Sequence, residues 1–88
     1  MVFKALLTLD LDKVTGEQRK IFYEYLKNEN WTKIANIDTA WKCTFNDGVS
    51  RSDALNTCKT DVKNAAHSAG VSSVKSVVQI GQGDVEEF

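Results

Sequence analysis

Residues 3–11 alternate in character, with Phe3, Ala5, Leu7, Leu9 and Leu11 at odd positions and Lys4, Thr8 and Asp10 at even ones; Leu6 alone breaks the rule. A period of two is the mark of a strand with one buried face. The period then changes. Thr15-Gly-Glu-Gln18 has the form of a capping box, Glu17 complements a helix dipole, and Ile21, Phe22, Tyr25 and Leu26 recur at helical spacing. Asn28-Glu29-Asn30 ends that helix, with Asn30 suited to a left-handed terminator. Trp31 to Asn36 and Thr39 to Phe45 read as two strands joined at Asn36-Ile37-Asp38-Thr39, and Asn46-Asp47-Gly48 closes the second as a turn. Ser50 opens another helix with Asp53 in its first turn, followed by a narrow stripe from Ala54 and Cys58 to Ala65 and Ala69. Gly70 stands where a cap belongs, Val71 to Ile80 is rich in β-branched residues, and Gly81-Gln82-Gly83 breaks the last strand.

The order of periods is therefore strand, helix, strand, strand, helix, strand. It predicts an α+β fold: a ferredoxin-like βαββαβ sandwich, with a four-stranded antiparallel sheet and two helices on one face. Right-handed crossovers place the first and third strands at the centre. At 88 residues the chain has room for one domain, expected over 1–80, with an acidic C-terminal tail at 81–88. There is no proline and there are only five glycines, which argues against a disordered or loop-rich chain. The apolar N-terminal stretch is interrupted by Lys4 and closed by Asp10, too short and too charged for a signal peptide or a membrane span. Cys43 and Cys58 have no ligand-spaced partners and fall on expected core positions, which fits reduced thiols and a cytoplasmic location.

Charge is uneven. Residues 81–88 hold Asp84, Glu86 and Glu87 and no base, so residues 1–80 carry eleven bases against nine acids, a net of +2. That is not the balance of a strong nucleic-acid binder, but it allows a local basic face. If the odd residues of the first strand face the helices, Lys4, Leu6 and Thr8 point the other way, joined by Lys42 and Thr44 and, by expectation, Lys33. Lys4, Lys33 and Lys42 are the candidate phosphate contacts, although the face carries no central aromatic on which bases would stack. Leu6 on that face, with Val85 and Phe88 of the tail, forms the candidate partner-binding set, since an uncovered sheet in a small domain commonly meets another chain. Asp10 and Asp12 follow the first strand, where a carboxylate can hold Mg²⁺. His67, the single histidine, has no nucleophile or second base in a recognisable arrangement.

Leu9-Asp10-Leu11, then the basic helix start Gln18-Arg19-Lys20, then a helix stop leading to Trp31 and a hairpin make an ordering that resembles a known family. It is similar in outline, over residues 3–45, to the small CRISPR-associated nucleases of the adaptation machinery and their toxin–antitoxin relatives. That resemblance implies ferredoxin-like homodimers, some of which cleave RNA or DNA with a metal, and it puts Asp10 at the position of the metal ligand. Two function classes follow. The first is a non-enzymatic interaction module, homodimeric or a partner subunit, with no cofactor. The alternative is a metal-dependent endonuclease or nucleic-acid binder that uses Asp10, Mg²⁺ and the lysine face.

Overall fold

A computed structural model of the chain describes residues 2–37 and 39–88. Strand β1 (Lys4–Asp10) leads to helix α1 (Gly16–Asn28), strands β2 (Thr32–Lys33) and β3 (Ala40–Thr44), helix α2 (Arg51–Ala69) and strand β4 (Lys75–Gly81). The sheet order is β2-β3-β1-β4, and all three pairings are antiparallel. This is the ferredoxin-like α+β sandwich, with β1 and β3 central as the crossover rule requires.

Both helices begin as their sequences dictate. The Thr15 hydroxyl accepts from the Gln18 amide at 3.1 Å while the Gln18 side chain accepts from the Thr15 amide at 2.9 Å, a complete capping box. Ser50 caps α2 by accepting from the Asp53 amide at 3.0 Å. Gln18 does a second job, donating from Nε2 to the Gly70 carbonyl at 3.2 Å and so tying the start of α1 to the end of α2.

Both helices also end in the same way. Asn30 and Gly70 take left-handed conformations, with φ of 70° and 69°. The next residue then donates back into the helix: Trp31 to the Leu26 carbonyl at 3.0 Å, and Val71 to the Ala66 carbonyl at 2.9 Å. With Asn30 bonding to Lys27 and Gly70 to His67, each end is a Schellman motif. Trp31 and Val71 were expected to open strands. Instead they are used up by helix capping, so β2 starts no earlier than Thr32; β4 starts only at Lys75. Strand β2 also stops early, because Asn36 at φ 66° turns the chain and Ile37 donates to the Ile34 carbonyl. Asp38, part of that expected turn, and Met1 lie outside the described residues.

The core lies between the helices and one sheet face. Leu7, Leu9 and Trp41 point into it from the sheet, Phe22 and Leu26 from α1, and Ala54, Cys58 and Ala65 from α2. The small residues of α2 let that helix lie close to the sheet. Ile21 does not belong to this face and is 36% exposed; Tyr23 replaces it, its ring 5.1 Å from that of Trp41. Asp61 is a buried acid on the core side of α2, and its carboxylate accepts from Trp31 Nε1 at 2.9 Å. Among the described residues Trp41 Nε1 has no such partner.

Candidate interaction surface

Register fixes what lies on the other face. Residues opposite one another in antiparallel strands share a side, and Lys4 pairs with Thr44 and Gly81, Leu6 with Lys42 and Gln79, and Thr8 with Ala40 and Val77. Lys4, Leu6, Thr8, Lys42 and Thr44 therefore share the open face, as expected. Lys33 does not. It pairs with Trp41, which points into the core, so Lys33 stands at the sheet edge on the helix side and Thr32 takes the open-face place opposite Lys42. Alternation accounts for this: Lys33 is two residues from the buried Trp31 and so shares its side, while Thr32 and Ile34 take the other.

The face is not bare. After Gly81 the chain turns back and residues 84–88 cross the sheet. Asp84 forms an ion pair with Lys4 at 2.7 Å, and Glu87 pairs with Lys42. Lys4 also donates to the Gln82 carbonyl at 3.5 Å. The hydrogen bond from Lys4, reinforced by its charge, holds the Asp84 carboxyl below its ordinary value. Asp84 and Glu87 nevertheless remain wet, with side chains 77% and 40% exposed. Ion pairs in such surroundings are weak and salt-screened.

The crossing segment divides the open face into two compartments. One is a groove of about 650 Å³, floored by Lys4, Thr32, Lys42 and Thr44 and walled by Asp84 and Glu86. The other, of about 450 Å³, is apolar, with Leu6, Ile34, Ile37 and Ala40 beneath Val85 and Phe88. Ile34 and Ala40 are buried there, whereas the Phe88 side chain is fully exposed. Leu6, Val85 and Phe88, the candidate partner-binding set of the sequence, thus surround one depression. What the sequence did not foretell is that the acidic tail pairs with the lysines of this face, although the signal was present: lysines on one face, and a base-free acidic run at the end of the strand beside it.

The other expected site residues lie apart from this surface's centre. Asp10 ends β1 with Lys75 as its cross-strand partner, and Asp12 is exposed in the turn that follows. Lys75, a cation, is thus the cross-strand neighbour of Asp10, and Mg²⁺ prefers several oxygen ligands. Among the described residues no group of three or more histidine, cysteine, aspartate or glutamate side chains is placed to hold a metal. His67 lies on the outer side of α2, in one row with Lys59 and Lys63, above a groove of about 460 Å³ beside β4.

The thiols are electrostatically discouraged from ionising. Burial, then neighbouring Cys58 and Asp61, push Cys43 up to about 12. Burial and then Asp61 push Cys58 up to about 11. Both are free cysteines packed in or against the core, unsuited to nucleophilic work at neutral pH.

No model of a protein family matches the chain, and no curated protein matches it by sequence. Its fold is similar to that of protein SP2199 from Streptococcus pneumoniae, known from a crystal structure. The likeness covers 97% of this chain and 90% of that one, with a TM-score of 0.57 and 18% identity. At that identity the likeness carries the architecture alone. Among the described residues no helix is long and apolar enough to cross a membrane.

Proposed function

We propose that the protein is a small non-enzymatic interaction module of the cytoplasm, a partner subunit that works through the open face of its sheet. One observation carries this reading. The face already holds an extended piece of polypeptide, residues 84–88, by two lysine–carboxylate pairs beside an apolar depression. A surface able to seat its own tail has the combination that peptide-binding sheets use, apolar seats for side chains and charges that fix register. Two protonated, packed thiols are consistent with a reducing compartment.

Selection from a phage-displayed library of random peptides tests the reading, using the full chain and its Asp84→Lys/Glu87→Lys variant. Enriched peptides are expected, and their binding is expected to be lost with Lys42→Glu or Leu6→Ser. No enrichment from either chain, or binding that survives both substitutions, overturns it.

A further inference from the structure

The residues that hold the tail down form a pattern. Asp84 and Glu87 are three apart and meet Lys4 and Lys42; Val85 and Phe88 are three apart and border the apolar compartment. Such a three-residue repeat suits an extended segment that keeps one side for charge and another for packing. Exposed ion pairs and a half-buried Val85 secure it, and the Phe88 side chain is fully exposed. Attachment through Gly81-Gln82-Gly83 gives the chain freedom to leave.

On the interaction-module reading, we propose that the open face recognises an extended segment of a separate protein carrying the same order, acid–apolar–any–acid–apolar, and that residues 84–88 are the resident competitor for it. Charge complementarity chooses the sign of the ligand, because the floor of the larger groove presents Lys4 and Lys42 and no acid of its own. The second compartment chooses a peptide over a nucleic-acid backbone. Leu6, Ile34 and Ala40 offer seats for aliphatic or aromatic side chains, which a run of phosphates does not supply. The tail is tethered beside its site, so its effective concentration is high, and an incoming segment has to compete with it. A weak latch makes that competition winnable, and it lowers the apparent affinity of every ligand by the fraction of molecules in which the face is covered.

The test uses a fluorescein-labelled peptide with the sequence of residues 81–88 and the full chain in four forms. With the tail disabled by Asp84→Lys/Glu87→Lys, the peptide is expected to bind, and to bind more weakly as salt rises from about 50 to 300 mM. Wild type is expected to bind it about tenfold more weakly, because its own tail competes. Adding Lys4→Ala/Lys42→Ala to the disabled chain abolishes binding without rebuilding the two ion pairs in reverse, whereas adding Lys59→Ala/Lys63→Ala, which alters the α2 row, leaves it unchanged. Equal binding by wild type and the disabled chain, or equal loss with both lysine pairs, overturns the proposal. So does an oligoribonucleotide that binds the disabled chain through Lys4 and Lys42 when the peptide does not. The two readings fail separately: open-face ligands from the display selection that lack the acid–apolar order sink this inference and leave the interaction module standing.

Discussion

On one face of the sheet the cover is two helices of thirteen and nineteen residues, which bury Leu7, Leu9 and Trp41 against Phe22, Leu26 and Cys58. On the other it is residues 84–88, anchored by Lys4 and Lys42. The same strands supply both faces by simple alternation, yet the covers differ in kind. The helix side gains its hold from apolar area that water never reaches, and from caps that fix where each helix starts and stops. The tail side depends on charges that remain hydrated, so its hold is conditional on salt and pH. A small domain of this kind can build a permanent core and a removable cover from one sheet, provided the odd and even residues of each strand are given different chemistry.

The sharpest way to break the contrast is to cut into the helix side. Phe22 is fully buried, and Phe22→Ala is expected to destabilise the fold by about 3–5 kcal/mol, read as a lowered urea midpoint by circular dichroism. That is much of the stability available to a domain of this size. Next in size is Asp61→Ala, which leaves Trp31 Nε1 without its acceptor and is expected to cost about 1–3 kcal/mol. Asp61→Asn keeps an acceptor oxygen and is expected to cost less than Ala in the same urea titration. It also removes a charge that raises both thiols, so Cys43 and Cys58 move down towards the ordinary value of 9.0 while burial still holds them above it.

The thiols give a further test of the helix side. Their folded values lie above the unfolded value of 9.0, so between pH 9.0 and about 11–12 the unfolded chain releases protons that the folded one retains. Stability is therefore complete below pH 9.0 and falls as pH rises through that window. Urea midpoints at about pH 8 and pH 10 should differ in that direction, and replacing both cysteines with alanine should remove the thiol part of the difference. At about pH 8 neither thiol should react with a disulfide reagent until the fold opens.

The smallest effect on global stability belongs to the other face. Asp84→Lys/Glu87→Lys is expected to shift the urea midpoint less than Asp61→Asn does, while the Leu6 and Val85 methyl resonances move as the tail leaves the sheet. Asp84 has a lowered folded value, so its contribution is present above the ordinary 3.8 and is lost as pH falls through the lowered value. Acid should therefore release the tail, with the same methyl resonances as the reporter. A large midpoint shift from the tail variant would show that the tail belongs to the core's cooperative unit, and the contrast between the faces would collapse.

The order of elements was readable because each carries its own period and its own cap. Thr15, Gln18, Ser50 and Gly70 act where their side chains or backbone freedom predict. The errors have separate origins. Trp31 and Val71 look like strand residues by composition, and a Schellman ending takes each of them for a helix; Lys33 belongs with Trp31 by alternation and so faces the helix side, and Ile21 lies just off the buried stripe of α1. Asp61 was overlooked because an acid within an apolar stripe has no meaning until its partner, Trp31, is known from the tertiary fold. The tail was legible as acidic and the face as basic, but their meeting depends on where β4 ends relative to Lys4, and only strand register determines that.

That register has one more consequence. The two outer strands are unequal: β2 offers two paired residues before the left-handed Asn36 turns the chain away, whereas β4 runs for seven. An exposed strand is a template on which foreign strands can pair, and a very short one is a poor template. This sheet is blunted at one end and open at the other. Two copies that met through β4 would leave only stubs outward, so any such growth would stop at a pair instead of propagating into a fibre.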